Sequence, residues 1–280
     1  MASFQTAGVA LVTGSAGGIG LAAANALAEA GASAIVFADV DEARVQSAAE
    51  QSRKLAIHDN YQARGWHVDV TDQESVEDLV KKTAKEFGRI DYLVNSAGVP
   101  QDSNTPIPDT DIAEYDRIQA INTRGMLLVS RAAAEIMVAQ EPRSFCHSRT
   151  GSERELGRGC IVNITSVMSY VGIPGKVAYM ASKHAAIGVT KASALDLASK
   201  GIRVNAVCPS WVKTPMYERD CAKNPYIPAF IEGAVTLLKR PAEAEEVGES
   251  VVYLCSPAAS YVNGIGLIID AGLTLTVHLS

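Results

Sequence analysis

Residues 9–20 read VALVTGSAGGIG, a short apolar run that passes through a glycine-rich turn into an alanine-rich stretch. The run Val9–Thr13 predicts a β-strand, and Gly18–Ala30 predicts a helix that Gly31 ends. Glycines let a backbone approach a ligand closely, and the first turn of a helix offers free N–H groups to a phosphate. The stretch therefore predicts a strand–turn–helix unit whose turn can hold a phosphate, with a plain turn as the alternative.

The rest of the chain repeats this alternation of apolar runs and helical stretches. The other predicted strands are Ala34–Ala38, Gly65–Val70, Tyr92–Asn95, Ile161–Thr165, Val204–Cys208 and Ile265–Ile269. The other predicted helices are Asp41–Ala56, 71–87, Asp111–Gln140, Lys176–Lys200 and Glu243–Cys255, with Thr71 and Glu74 as a capping box. Continuous apolar strands between helices are typical of a sheet that is covered on both faces. The pattern predicts one α/β domain over residues 1–280: a Rossmann-type, doubly wound, mostly seven-stranded parallel sheet with helices on both faces.

Two segments interrupt this pattern. Residues 141–159 are polar and carry four arginines among Ser, Gly and Glu, which predicts a surface loop inserted between a helix and a strand. Residues 211–240 combine several prolines with large apolar side chains such as Trp211, Tyr217 and Phe230. Apolar residues on such a loop predict a lid over an apolar substrate, whereas a loop packed on its own core is the open alternative.

Composition narrows the class of protein. The 280 residues carry a formal net charge of −6 with a pI near 5.4, which disfavours a nucleic-acid partner. No apolar run reaches the roughly 18 residues of a membrane helix, and residues 1–10 lack the pattern of a signal peptide. The five cysteines lie far apart, and the histidines show no metal-ligand spacing. We expect a cytoplasmic protein with no metal site and no nucleic-acid or membrane partner.

The carboxylate of Asp39 indicates which dinucleotide the turn would hold. Strand, glycine turn and helix in this order form the general dinucleotide-binding pattern, and Asp39 ends the next strand nineteen positions after Gly20. A carboxylate there accepts hydrogen bonds from the adenosine ribose 2′-OH and would repel the 2′-phosphate of NADP. Ser15 offers that phosphate no cation, so NAD is favoured. Arg44 keeps NADP possible, and a helix N-cap is the alternative role for Asp39. The predicted phosphate contacts are Gly14, Ser15, Gly18, Ile19 and Gly20.

An acid–base pair is predicted on the helix that begins near Lys176. Tyr179 and Lys183 stand at i and i+4, which places them on one helix face. A free tyrosine has a pKa near 10, and a nearby ammonium group lowers that pKa. A tyrosine tuned in this way can take a proton from an alcohol or give one to a ketone. Ser166 lies at the end of a predicted strand, thirteen positions before Tyr179. The alternative for the pair is two helix-surface residues without a catalytic role.

Several motifs, taken in order, resemble those of the short-chain dehydrogenase/reductase family over nearly the whole chain. They are Thr13-Gly14-x-x-x-Gly18-x-Gly20, Asn95-Ser96-Ala97-Gly98, Asn122, Ser166 with Tyr179-x-x-x-Lys183, and Pro209-Ser210-Trp211-Val212-Lys213-Thr214. Two residues depart from the family pattern, since Ser96 replaces a second Asn and Ser210 replaces the Gly after the proline.

The resemblance implies a role for each matched residue. Tyr179 would be the general acid/base, and Lys183 would lower its pKa and bind the nicotinamide ribose. Ser166 would hydrogen-bond the substrate oxygen, and Asn122 would hold a water that links Lys183 to solvent. The further cofactor contacts implied are Asp69 and Val70 at the adenine, Asn95, Ala97 and Gly98 on the adenosine side, and Pro209, Val212 and Thr214 near the nicotinamide. The resemblance also implies a homotetramer or homodimer.

These observations together predict an NAD(P)-dependent oxidoreductase that interconverts a secondary alcohol and a ketone. The apolar lid predicts a bulky, lipophilic small-molecule substrate. Two alternatives use the same fold: a non-catalytic dinucleotide-binding protein, and a dehydratase or cyclisation catalyst.

Overall fold

The computed structural model describes residues 4–235 and 237–275, and its strands form two sheets. The strands are β1 (Val9–Thr13), β2 (Ala34–Asp39), β3 (Gln62–His67), β4 (Tyr92–Asn95), β5 (Arg143–Cys146), β6 (Glu153–Gly157), β7 (Gly159–Ile164), β8 (Ile202–Pro209) and β9 (Gly266–Ile269). The helices are α1 (Gly18–Glu29), α2 (Glu42–Ser52), α3 (Gln73–Phe87), α4 (Ile112–Gln119), α5 (Met126–Ala139), α6 (Val177–Asp196), α7 (Pro215–Lys223), α8 (Ile227–Ala234) and α9 (Ala244–Cys255).

The central sheet has seven parallel strands in the order β3-β2-β1-β4-β7-β8-β9. The chain proceeds outward from β1 in one direction and then returns to β4 on its other side. Ligands of open α/β sheets bind at the carboxyl ends of the strands where the order reverses in this way. Asp39, Asn95 and Pro209 each end a strand at this edge.

Apolar side chains cover both faces of the sheet. On one face, α1, α2 and α9 contribute Leu27, Val45 and Leu254 to a core that includes Val12 of β1. On the other face, helices including α3 and α5 pack a second core against Leu11. Successive residues of β1 thus serve opposite cores, which explains why the strand reads as one apolar run. The prediction of a doubly wound, seven-stranded parallel sheet is confirmed.

The long helix predicted over Asp111–Gln140 is interrupted. Between α4 and α5 the residues Ala120–Gly125 form a wider π-helical turn, a feature often found at functional sites. Gly125 is required there because a Cβ atom at this position would lie 2.8 Å from Cγ2 of Val70. The turn thus contains a close contact between distant segments, which the helical sequence pattern does not reveal.

Two other local predictions differ from the structure. The N-cap of α3 is Asp72, whose carboxylate accepts from the Glu74 N–H, so the predicted capping box is wrong. Thr71 instead donates its hydroxyl to Asp69 Oδ1 at 2.7 Å. The third strand lies earlier than predicted, over Gln62–His67.

The two irregular segments contain secondary structure. Between α5 and β7 the antiparallel strands β5 and β6 form a hairpin, where a surface loop was predicted over residues 141–159. Residues 211–240 carry the helices α7 and α8. Among the described residues, no helix is long and apolar enough to cross a membrane.

Candidate active site

A cavity of about 1380 Å³ opens at the carboxyl edge of the sheet. Most of the predicted site residues line it: Gly14, Gly18, Ile19, Asp39, Asp69, Val70, Ala97, Gly98, Ser166, Tyr179, Lys183, Pro209, Val212 and Thr214. Helix α7 and the loop before it close one side with Trp211, Met216 and Tyr217. One continuous space therefore connects the glycine turn with the predicted acid–base pair.

The glycine turn depends on close backbone packing. Gly14 has φ 69°, and a Cβ atom there would lie 2.4 Å from the backbone nitrogen of Ala97. A Cβ atom at Gly20 would lie 2.2 Å from the carbonyl oxygen of Gly14. At Gly17, by contrast, no described atom lies within 4 Å of such a Cβ, so the turn leaves open space on its cavity side. This backbone cradle at the start of α1 fits the pyrophosphate of a dinucleotide.

Four of the predicted site residues are not among those that line the described cavity. Ser15 is buried and donates its hydroxyl to the carbonyl of Ala38, while Gly20 packs on the turn itself. Asn95 donates to Ser130 Oγ and to Asn163 Oδ1, each at 2.9 Å. Its amide ties β4 to β7, which keeps the carboxyl edge of the sheet together.

The fourth of these residues, Asn122, lies in the π-helical turn. Its amide accepts from the Val99 N–H at 2.8 Å and donates to the Val99 carbonyl at 3.0 Å and to Ser182 Oγ at 3.1 Å. Asn122 thereby joins this turn both to the loop after β4 and to α6. The amide of the predicted water-binding residue is thus bonded to protein groups.

Asp39 is held with its carboxylate at the cavity wall. Its oxygens accept from the backbone N–H groups of Ala16 and Asp41, both at 3.2 Å. The N-cap of α2 is Asp41, which accepts from the Arg44 N–H, so the alternative N-cap role of Asp39 is wrong. Arg44 also lines the cavity and forms an exposed ion pair with Asp41 at 3.3 Å.

Ser166, Tyr179 and Lys183 meet at the other end of the cavity. Ser166 follows β7, and its hydroxyl both accepts from the Met168 N–H at 3.1 Å and hydrogen-bonds the Tyr179 phenol. The Lys183 Nζ donates to the Ile164 carbonyl at 3.3 Å and lies 5.4 Å from the centre of the Tyr179 ring. The strand β7 and the helix α6 therefore bring these three groups together.

Burial shifts both pKa values of the predicted pair towards the neutral forms. Burial raises the pKa of Tyr179 to about 12, although the Ser166 hydrogen bond lowers it and the Asp220 carboxylate raises it further. Burial also lowers the pKa of Lys183 to about 8. Neither residue is among the causes of the other's pKa shift, so the expectation that Lys183 depresses the Tyr179 pKa stays a prediction.

Several polar residues of the cavity wall were not predicted from the sequence, among them Gln101 and Asp220. Gln101 lies on the loop after β4, and Asp220 lies on α7. Neither belongs to a recognisable motif, so the sequence pattern carried no signal for them. Within the described residues, no group of three or more His, Cys, Asp or Glu side chains is arranged to hold a metal ion.

Comparison with known proteins identifies the family of this chain. The model of a family described as enoyl-(acyl carrier protein) reductase matches residues 14–274. The chain is 42% identical to the short-chain dehydrogenase fogB of Aspergillus ruber, over 96% of this chain and 97% of that protein. The chain belongs to the short-chain dehydrogenase/reductase family. It is an oxidoreductase acting on CH–OH groups, and this family generally uses NAD or NADP.

Two further proteins match the chain over similar lengths. A cyclopentanol dehydrogenase of Comamonas testosteroni is 37% identical, over 95% of this chain and 96% of that protein. The crystal structure of levodione reductase superposes with a TM-score of 0.85 at 31% identity, covering 98% of this chain and 100% of that one.

Proposed function

We propose that the chain is an NAD-dependent oxidoreductase that interconverts a secondary alcohol and a ketone on a bulky, lipophilic small molecule. The observation that carries this proposal is the single cavity shared by the glycine turn, Asp39, Ser166, Tyr179 and Lys183. Because the two ends share this space, a cofactor held at one end can reach a substrate held at the other.

The residues of the chain would supply the proton chemistry. Hydride acceptance or donation is the chemistry that a dinucleotide would supply when bound. Tyr179 takes the proton of the alcohol at its Oη in oxidation, or gives it to the carbonyl oxygen in reduction. Ser166 donates a hydrogen bond to the same substrate oxygen and stabilises the charge that develops on it. Lys183 holds the nicotinamide ribose, and its ammonium group favours the phenolate form of Tyr179.

The backbone and the remaining wall residues would hold the dinucleotide. The N–H groups at the start of α1 would hold the pyrophosphate, and Asp39 would accept from the adenosine ribose. Asp69 and Val70 would hold the adenine, Ala97 and Gly98 the adenosine side, and Val212 and Thr214 the nicotinamide amide.

Replacement of Asp39 by Asn is expected to abolish a preference for NADH over NADPH. We expect the wild-type protein to bind NADH about tenfold or more tightly than NADPH, since ~1.4 kcal/mol of repulsion on the 2′-phosphate produces that ratio. Asn keeps the shape of the side chain but removes its charge. Fluorescence titration of both nucleotides measures the ratio. Asp72→Asn, at the N-cap of α3, is the matched control that should leave it unchanged. Tighter NADPH binding by the wild-type protein would show that Arg44 dominates.

The apolar side chains at one end of the cavity support the proposal of a bulky, lipophilic substrate. Trp211 packs edge-on against Phe230 of α8 with 5.6 Å between ring centres, so the lid has a packed backing of its own. Met168, Val171 and Met216 add further apolar surface. In a panel of secondary alcohols read at 340 nm, we expect cyclic and polycyclic members to have a higher kcat/KM than 2-propanol. The relative named cyclopentanol dehydrogenase makes a cyclic alcohol a suitable first member. A preference for 2-propanol would contradict this substrate class.

We also propose that the protein is cytoplasmic and that it forms a homotetramer or a homodimer. Exposed apolar side chains on α5 and on β9, among them Leu127, Val138 and Ile268, support association of subunits. Sedimentation of the purified protein as a monomer would contradict the assembly.

A further inference from the structure

The helix that carries Tyr179 begins without a side-chain cap of its own. Helix α6 starts at Val177, and the side chain of its N-cap residue Lys176 makes no capping hydrogen bond within the described chain. The first N–H groups of a helix have no intrahelical acceptor and need one from elsewhere. Tyr179 is the third residue of α6, so its backbone N–H is one of these groups.

Gln101 supplies that acceptor from a distant part of the chain. Its Oε1 accepts from the Tyr179 N–H at 3.1 Å across a sequence separation of 78 residues. Its Nε2 donates to the Gly175 carbonyl at 2.9 Å and to Ser103 Oγ at 3.1 Å. The side chain is almost fully buried, with 4% of its surface exposed. The amide is thus fixed at both ends and holds the residues just before and just inside α6.

Lys176 strengthens this attachment. Its Nζ donates to the backbone carbonyls of Gln101 at 3.0 Å and Ser103 at 2.8 Å. The same loop begins at the cavity wall, where Ala97 contacts the glycine turn and Val99 is bonded to Asn122. The loop therefore connects the cofactor end of the cavity with the start of the helix that bears the phenol.

We propose that Gln101 is a positioning residue that caps α6 from the cavity wall and thereby fixes the Tyr179 phenol against Ser166 and Lys183. This inference rests on the proposed acid–base role of Tyr179. A displacement of about 1 Å in a reacting group costs on the order of 10²-fold in rate. The capped N–H belongs to Tyr179 itself, so loss of this hydrogen bond moves the backbone that carries the phenol.

The decisive comparison is Gln101→Met with Gln101→Glu. Met has a similar length and removes all the side-chain hydrogen bonds, whereas Glu retains an acceptor for the Tyr179 N–H. We expect Gln101→Met to lower kcat by about 10²-fold with little change in KM or in dinucleotide affinity. We expect Gln101→Glu to restore most of kcat, since a carboxylate also suits a helix N-terminus.

Gln140→Met is the matched control for a merely structural effect. The Gln140 amide likewise makes three hydrogen bonds, accepting from the Ile90 N–H and donating to the carbonyls of Ile90 and Arg158. It lies outside the described cavity wall. Its loss should lower the melting temperature without changing kcat. An effect of Gln101→Met on melting temperature alone, or on KM alone, would overturn the proposal.

A measurement that does not require turnover tests the positioning role of Gln101 separately from the proposed function. Burial raises and the Ser166 hydrogen bond lowers the pKa of Tyr179, so a phenol that moves from its position should titrate at a different pH. Tyrosinate absorbance near 295 nm, taken as the difference from Tyr179→Phe in each background, reports that titration. A titration shifted in either direction in Gln101→Met supports the positioning role even if no alcohol in the panel is oxidised. An unchanged titration together with unchanged kcat would refute it.

Discussion

Tyr179→Phe is expected to lower kcat by about 10²–10⁴-fold, the usual contribution of a positioned general acid or base. The substitution keeps the aromatic ring in its partly buried site and removes only the hydroxyl that hydrogen-bonds Ser166. The dinucleotide should still bind, because the glycine turn and Asp39 lie at the other end of the cavity. Steady-state rates at 340 nm with the best alcohol of the panel, together with a dinucleotide titration, measure the two effects separately.

Tyr170→Phe is the matched control. Tyr170 is the other tyrosine near Ser166 in sequence, and 42% of its surface is exposed. Its hydroxyl hydrogen-bonds the Cys208 thiol and lies outside the described cavity wall. We expect its loss to change kcat by less than about threefold, within the range of ordinary surface effects. Turnover of Tyr179→Phe within tenfold of the wild type would assign the acid–base role to another group.

The same variant discriminates between reaction types. If the wild-type protein converts a substrate without any change in absorbance at 340 nm, the dehydratase or cyclisation alternative gains support. If the wild type binds dinucleotide and Tyr179→Phe leaves every measured property unchanged, the non-catalytic alternative gains support. Product analysis by mass spectrometry alongside the absorbance trace is therefore part of the experiment.

The sequence pattern predicted the sheet because five of its seven strands, β1, β2, β4, β7 and β8, are buried along almost their whole length. In β1, Leu11 and Val12 serve opposite cores, and no solvent-facing residue interrupts the run. Asp39 could be placed at the carboxyl edge because it directly follows such a run. A pattern in the linear sequence can therefore predict the contacts that follow from the order of the strands.

Features that depend on distant contacts were not predictable in this way. The π-helical turn exists where Gly125 meets Val70, and nothing in the helical pattern of that segment marks the contact. The hydrogen bond of Gln101 to the start of α6 spans 78 residues and belongs to no motif. The pKa of Tyr179 depends on its burial, which a spacing of four residues from Lys183 does not report.

Lys183→Met is expected to abolish turnover and yet stabilise the folded protein near pH 7. Burial lowers the Lys183 pKa from its usual 10.5 to about 8, so the ammonium form is disfavoured in the folded chain. A shift of this size corresponds to about 3 kcal/mol of destabilisation while the group is charged. Met fills a similar volume without a charge. It also loses the hydrogen bond to the Ile164 carbonyl, which reduces the expected gain in stability by about 1 kcal/mol. A net gain of about 2 kcal/mol in the free energy of unfolding is expected.

The gain should depend on pH in a defined direction. Between pH 8 and 10.5 the unfolded chain binds more protons at this lysine than the folded chain does, so the wild-type protein gains stability as the pH rises. The difference between Lys183→Met and the wild type should therefore shrink between pH 7 and pH 9.5. Urea unfolding at the two pH values measures it. Lys191→Met, an exposed lysine on the same helix, is the control that should change stability by less than about 0.5 kcal/mol.

The two readouts of Lys183→Met separate catalysis from stability. Active sites often retain groups that destabilise the folded state because those groups are needed for function. A variant that is more stable at pH 7 but has lost turnover would identify Lys183 as such a group. An equal stability gain at pH 7 and pH 9.5 would attribute the effect to packing of the Met side chain rather than to removal of a buried charge. Retained turnover would remove Lys183 from the proposed mechanism and leave Ser166 and Tyr179 to carry the proton transfer.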